Sequence, residues 1–569
     1  MRGGRGRPRL RVLITDPEAA ILEKPGLLWS VSGLEACERA ILAARGSEQD
    51  ELETEIIRRA GDASILKVRF ATGRPSAVVA WRGLWSDHHI FWAACPDGDV
   101  IVGDHFRNVL SALPVSERET SDAALVEHFL YRQVLGGLSY CRAVQRPGHG
   151  ERLLLDLSTG NTKTSLVDRI QDRAEDRPTA AYLDQIDCAM ASVLEPLREE
   201  EGVANQFSGG VDSTLVQTYL GSKVPALNLV PDTPEFRRET EYASRAAALL
   251  GVALERRPVR EADYLGQLER TIDAMGLPPV HEGTVLDREC YVRGFRKFVV
   301  GEHGDTVFGL GGRRARIAWH LSSPPGRAGL ALASCLAPAS LRERLEPLRA
   351  AARELRRDPE DPLGHPAQRN LYTDYPLVEK IFGPELVRDR LSANLDYAFA
   401  RVALSAPKGR TFLRNLETAR WLGTFDDVVL PQRHLAHAYG KSVVSPFAAP
   451  GVIASVLAVP LARRYLHGLQ DKYLLKRLLE RRLPGYPVNQ RKRSTALPFA
   501  RYYRRGPLSG VWDRYPLPDF IEAALRRRVV EDASDLTWNA ITWAIWQERV
   551  VQNPDLEPVS GTRILSWEL

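Results

Sequence analysis

The sequence predicts an α/β protein in two parts: a strand-rich N-terminal unit, then a parallel sheet wrapped by helices and continued by a helical extension. Three observations carry that reading. Short β-branched and aromatic runs fill the chain up to residue 170, helical periodicity alternates with short apolar runs from Ala180 to Gly301, and beyond Gly312 the chain is mostly helical and arginine-rich. Strand and helix in alternation make a parallel sheet whose faces the helices cover. The polar stretch Gln171–Pro178, QDRAEDRP, ends in proline and marks the boundary, so the units are expected over 1–175 and 176–569.

In the first unit Ile65–Phe70, Ser76–Trp81, His89–Ala94 and Asp99–Gly103 read as strands separated by Gly, Pro and Asp. Ser121–Tyr131 reads as a helix that Ser121 caps. The second unit is expected to run helix Tyr182–Glu200, strand Val203–Phe207, helix Ser213–Leu220, strand Ala226–Val230 and helix Thr240–Leu250. Strand Val252–Arg256, helix Glu261–Met275 and strand Phe298–Gly301 follow.

Composition bounds the function. At 569 residues the chain holds roughly three to four units of ordinary size, or fewer large ones. Hydrophobic residues at 44% and charged residues at 26% exclude disordered, collagenous and disulfide-scaffold classes. Lys+Arg 77 against Asp+Glu 72 leaves +5, which calls for no nucleic-acid partner. The six cysteines form no C-x-x-C pair, and no apolar run is long enough for a signal peptide core or a membrane span, so a cytoplasmic location is expected.

The segment that carries chemistry is Phe207-Ser208-Gly209-Gly210-Val211-Asp212-Ser213-Thr214, between a strand and a helix. Adjacent glycines let the backbone approach an anion, Ser208 and Ser213 offer hydroxyls, the helix start presents unpaired N–H groups, and Asp212 is a ligand for magnesium. No lysine follows the glycines, so this is a phosphate cradle of a type other than the Walker loop. A second segment, Val300–Gly309, also follows an apolar strand. Loops after parallel strands collect at the carboxyl edge of the sheet, which places Asp305 with Asp212 around one cation.

S-G-G-x-D-S resembles the pyrophosphate loop of enzymes that split ATP between the α and β phosphates. With the second segment it resembles the asparagine synthetase family, whose G-E-G-x-D-E-x-F-G is matched by Gly301, Glu302, Asp305, Phe308 and Gly309, while His303 and Thr306 depart from it. Lys472-Tyr473-Leu474-Leu475-Lys476, Leu483-Pro484 and Arg491-Lys492 follow the register of the family's K-x-x-L-R, L-P and R-x-K. Pro446-Phe447 resembles its P-F-L-D, and Glu239 with Tyr242 its E-x-x-Y. The resemblance implies an adenine-nucleotide α-hydrolase-like sheet, ATP and Mg2+ as cofactors, ATP contacts at Ser208, Gly209, Gly210, Asp212, Ser213 and Gly301, and metal ligation by Asp212 and Asp305. Lys492 falls at the family's catalytic lysine, where an ammonium offsets charge building on the α-phosphate. Glu302 and the adjacent His303 complete the catalytic candidates with Lys492, Glu302 accepting or relaying the proton of the attacking amine; the alternative is that Glu302 only orders the loop.

Ile101–Phe106, Ala124–Glu127 and Pro147–His149 resemble the glutaminase domain of the same family, an Ntn-type α+β sandwich. That activity needs a cysteine after the initiator methionine, where Arg2 stands, and Met190 and Met275 are followed by Ala191 and Gly276. Glutamine is therefore not expected to supply nitrogen.

Two relatives share the architecture without the glutaminase: β-lactam synthetases and lasso-peptide cyclases. β-Lactam synthetases place a tyrosine where Glu302 sits, so the chain resembles the lasso cyclases more closely. That resemblance implies a side-chain Asp or Glu of a precursor peptide, adenylated and captured by the peptide's own N-terminal amine, and as partners a leader peptidase and a leader-peptide recognition protein. A small-molecule amide-forming reaction, an RNA-adenylating enzyme and a non-catalytic scaffold are the competing readings. His434 and His437 lack a third ligand at metal spacing, Arg313, Arg314 and Arg316 read as a solvated face, and Trp538, Trp543 and Trp546 as packing.

Overall fold

The structure, a computed structural model, describes residues 7–24, 27–33, 51–171, 174–292, 294–309, 324–338, 372–373, 375–403, 421, 423, 426, 429–467, 470–489 and 497–569. Arg2, Cys37, Arg313, Arg314, Arg316 and Lys492 lie outside the described residues.

The N-terminal unit contains β1 (Arg9–Ile14), β2 (Ala20–Lys24), β3 (Leu27–Ser32), β4 (Ser64–Ala71), β5 (Arg74–Arg82), β6 (Phe91–Ala94), β7 (Val100–Gly103), β8 (Glu151–Asp156) and β9 (Thr162–Leu166). Strands β2-β3-β4-β5-β8-β9 form an antiparallel sheet in that order, and β1-β7-β6 a second, mixed sheet. The two sheets share one apolar layer: Leu10 and Val12 of β1 and Val102 of β7 meet Leu66 and Val68 of β4 and Val78 of β5. Alternation in each strand aims these side chains inward. The helix Asp122–Tyr131 starts where expected, because the Ser121 hydroxyl accepts the Ala124 N–H at 3.1 Å.

The second unit opens with β10 (Ile170–Gln171) and the helix Thr179–Leu194, then β11 (Val203–Gln206), helix Val211–Leu220, β12 (Ala226–Pro231), helix Arg237–Leu250, β13 (Leu254–Val259), helices Tyr264–Met275 and Thr284–Tyr291, and β14 (Lys297–Val299). After β15 (Val402–Ala403), β16 (Ser442–Val444) joins the same sheet, giving the all-parallel order β13-β12-β11-β14-β16. The sheet is the middle of three layers. Ala204, Leu227 and Phe298 pack on the side of helices Tyr264–Met275 and Thr284–Tyr291, whereas Val203, Ala226 and Val299 pack on the side of Thr179–Leu194 and Val211–Leu220. Burial on both faces is why these strands read as continuous apolar runs.

The four strands expected in the first unit coincide with β4 to β7, while β1, β2, β3, β8 and β9 are not among them; in the second unit the expected Val252–Arg256 lies two to three residues before β13, and further corrections fall beyond Gly312. The region expected to be helical supplies β16, and its end supplies β19 (Arg563–Glu568), which follows the short hairpin pair β17 (Leu466–His467) and β18 (Gln470–Asp471). Strand β19 pairs antiparallel with β1, so the chain's last strand is the edge of the first unit's mixed sheet. A three-residue Ser-Val-Val run carries no period, and β19 is set by a partner more than 500 residues away; neither has a local signal. Trp538 and Trp546 are fully buried in the layer between the units, and Trp543 nearly so. No helix among the described residues is long and apolar enough to cross a membrane.

Candidate active site

The chain runs outward from β11 to β12 and β13, then returns to place β14 on the other side of β11. Where the order reverses, the loops after β11 and β14 leave in opposite directions and open a crevice at the carboxyl edge, the usual ligand position in such sheets. Both sequence-predicted segments stand there. Gly301 of the second loop packs on the first: a Cβ at Gly301 would lie 3.1 Å from Ser213 N, and one at Gly304 2.9 Å from Asp212 Oδ1.

The loop Phe207–Gly210 is held open from inside. Ser208 N donates to Ser213 Oγ at 3.2 Å, Gly210 N donates to Ser208 Oγ at 3.3 Å, and the two serine hydroxyls are 3.2 Å apart. Asn228, from β12, donates to Phe207 O at 2.7 Å, and Asn205, from β11, donates to Ser213 O at 3.0 Å. Gly209 has φ +68, and a Cβ there would come 2.5 Å from Ala243 Cα, so neither the conformation nor the space admits a side chain. The helix carrying Glu239 and Tyr242 is the wall it meets. Tyr486 OH donates to Gly209 O at 2.6 Å from the other side.

Asp212 and Asp305 do converge, and a lysine stands between them. Lys472 Nζ is 2.8 and 2.7 Å from the two Asp212 oxygens and 2.6 Å from Asp305 Oδ1. Burial alone would lower the Lys472 pKa, but the two carboxylates outweigh it and raise it above the ordinary lysine value. Asp212 is 19% exposed and Asp305 81%, so the pair opens to solvent on the Asp305 side.

Glu302 is exposed in the second loop, one residue before His303, which is buried with φ 72. The family motif has glycine at this position; histidine holds the left-handed backbone here at a cost of about 1–2 kcal/mol. Burial, with the Glu302 charge, pushes the Asp287 carboxyl up to about 7; Gln432 Nε2 donates to it at 3.3 Å. His434 and His437 are far from this crevice in role: they lie buried between the units, His434 stacked on His105 at 4.5 Å and His437 3.7 Å from Asp16. Among the described residues no group of three or more His, Cys, Asp or Glu side chains is set to hold a metal.

Sequence reasoning placed Ser208, Gly209, Gly210, Asp212, Ser213, Gly301 and Asp305 in one crevice, as they are. It gave no role to Lys472, Tyr486, Asn205 or Asn228. Lys472 opened a recognised segment, but nothing local says that its ammonium reaches two loops 167 and 260 residues away. Two carboxylates converging on one cationic side chain have the chemistry that a magnesium ion paired with nucleotide phosphates would use. Asp212 and Asp305 would hold the ion, whose chemistry is to neutralise phosphate charge.

A serine-lined glycine loop at the switch point of a parallel sheet, beside a carboxylate pair, defines a nucleotide-dependent α/β enzyme. Residues 190–540 match the asparagine synthase family, and the chain belongs to that family. It is an ATP-dependent amide-forming ligase, of a family that uses ATP and typically Mg2+. A comparison with curated proteins finds no match.

Proposed function

We propose that the chain is a lasso-peptide macrolactam synthetase. Its substrate is a leader-processed precursor peptide; ATP is split to AMP and pyrophosphate, and an isopeptide ring is formed. The observation that carries the nucleotide chemistry is the convergence of Asp212 and Asp305 beside the Ser208–Ser213 loop. The substrate class rests on Glu302 standing where small-molecule ring closers of this architecture have tyrosine.

A carboxylate is a poor acyl donor, so the peptide's side-chain Asp or Glu oxygen first attacks the α-phosphorus and pyrophosphate departs. The loop amides and serines orient the phosphates, and Lys492 offsets charge on the α-phosphate. Glu302, exposed at the crevice, accepts the proton of the attacking α-amine. Holding amine and acyl group together makes closure effectively unimolecular, and the tail must be threaded beforehand because a closed ring is too tight to enter.

The N-terminal unit is a degenerate glutaminase-like wall in this reading. Burial pushes the Cys95 thiol up to about 11 and raises that of Cys141 as well, so neither supplies a thiolate near neutral pH. Glutamate release from glutamine is expected to stay at background.

The decisive experiment is incubation with ATP, Mg2+, a leader-processed precursor and the leader peptidase and recognition protein. The expected product is lighter by one water and resists carboxypeptidase beyond the ring. A linear or merely adenylated peptide, or amidation of a free small acid in its place, counts against the proposal.

A further inference from the structure

Lys472 fills the space that a cation shared by Asp212 and Asp305 needs. Its Nζ lies 2.6–2.8 Å from three carboxylate oxygens, and a magnesium ion bound to the same oxygens would sit at about 2.0–2.1 Å from them. The two positions overlap, so ammonium and metal exclude one another. The three carboxylate contacts hold the lysine there. Its backbone is left-handed at φ 52, between the β17–β18 hairpin and the helix Tyr473–Arg482. An added Cβ at Gly309 of the Asp305 segment would meet Lys472 Cγ only at ordinary contact distance, 3.4 Å, so the stem runs alongside that segment.

From this geometry we infer that Lys472 is the resident counter-ion of the carboxylate pair and makes metal entry depend on nucleotide. The inference rests on the nucleotide-site reading above and deepens it. A single positive charge leaves the pair with a net negative charge, so a divalent ion is the better partner for the carboxylates. Expelling the ammonium without offering it another anion strands a charge that is 11% exposed. The phosphates of a nucleotide seated on the Ser208–Ser213 loop are that anion, next to Asp212. Metal and nucleotide therefore enter together, and Lys472 passes from carboxylates to phosphate as a positioning residue.

The test is Mn2+ binding to the full chain, followed by electron paramagnetic resonance, with and without α,β-methylene-ATP. Wild type is expected to bind Mn2+ at least about tenfold more tightly with the nucleotide than without it. Lys472→Met is expected to bind Mn2+ without nucleotide at least about tenfold more tightly than wild type, while Lys472→Arg keeps the wild-type pattern. Equal nucleotide-free affinities in wild type and Lys472→Met, with the wild-type nucleotide effect intact, overturn the lysine's role and leave the nucleotide site standing. No Mn2+ binding to wild type even with nucleotide overturns both. A peptide that is not closed, with the Mn2+ pattern as expected, faults only the substrate assignment. Should the variants fail to fold, a wild-type crystal structure with Mg2+ and the same nucleotide analogue decides: the ion between the carboxylates and Nζ withdrawn supports the inference, and a lysine still bridging them overturns it.

Discussion

The Tyr486 hydroxyl donates a 2.6 Å hydrogen bond to the carbonyl of Gly209, tying the segment after helix Tyr473–Arg482 to the glycine loop more than 270 residues earlier. The loop is thus clamped between Tyr486 and the helix Arg237–Leu250, whose Ala243 stands against Gly209. Its open shape belongs to three chain segments together.

Tyr486→Phe removes one hydrogen bond from that clamp, about 0.5–1.5 kcal/mol, so ATP-analogue affinity should fall by about 2- to 10-fold. Gly209→Ala should be far worse, since φ +68 and a 2.5 Å approach to Ala243 both resist a methyl group. Isothermal titration of both variants checks the order; equal losses would count against the clamp.

Asp212→Asn and Asp305→Asn should each lower ATP–pyrophosphate exchange by about 10²–10³-fold. Their stabilities should part company. Asp212, mostly buried, gives Lys472 two contacts, whereas Asp305 is 81% exposed and gives one. A clear drop in thermal midpoint is expected for Asp212→Asn and little for Asp305→Asn, measured by calorimetry.

His303→Gly relieves the left-handed backbone at φ 72, worth about 1 kcal/mol, but empties the space of a buried imidazole, so its net stability should not exceed that of wild type. Its effect on turnover separates two roles. Peptide closure lost with exchange retained makes His303 part of the proton path; unchanged closure makes it a loop residue only.

The junction between the units should respond to acid. Burial holds the His149 and His437 rings down to about 4 and His105 to about 3, with His89 and His434 also lowered. Unfolded imidazoles take a proton near pH 6.5, so between about 6.5 and 4 the unfolded chain binds more protons and these groups lose stability as pH falls. Buried Asp62 and Glu127, pushed up to about 7 by burial, act in the opposite sense, being favourable in acid and losing that contribution as pH rises towards 7. Neither ring nitrogen of His434 has a hydrogen-bond partner among the described residues. His434→Leu therefore removes one acid-sensitive group at little packing cost. Its unfolding free energy should gain on wild type by about 1.4 kcal/mol per pH unit as pH falls through that window; a pH-independent difference would contradict the assignment.

How much was legible follows from how local each signal is. The glycine loop, its serines and Asp212 lie within one hexapeptide, because a strand-to-helix turn is built from neighbouring residues. Joining it to Asp305 needed only the rule that successive parallel strands end at the same edge. The edge strand β13, with Glu255, Arg256 and Arg257, is placed two to three residues too early by the sequence pattern, whereas strands β11, β12 and β14 were legible because burial on both faces leaves them mostly apolar. Strands β16 and β19 were not, since three residues show no period and an edge strand is specified by its partner.

The sequence by itself determined the family, the Ser208–Ser213 glycine loop with Asp212 and the second segment with Asp305, each written in a short contiguous motif. Only the tertiary structure decided that Lys472 stands between those carboxylates, that Tyr486 closes the loop from outside, and that β19 returns to β1. Those relations join residues hundreds of positions apart, and a side chain's reach across an assembled crevice leaves no pattern along the chain.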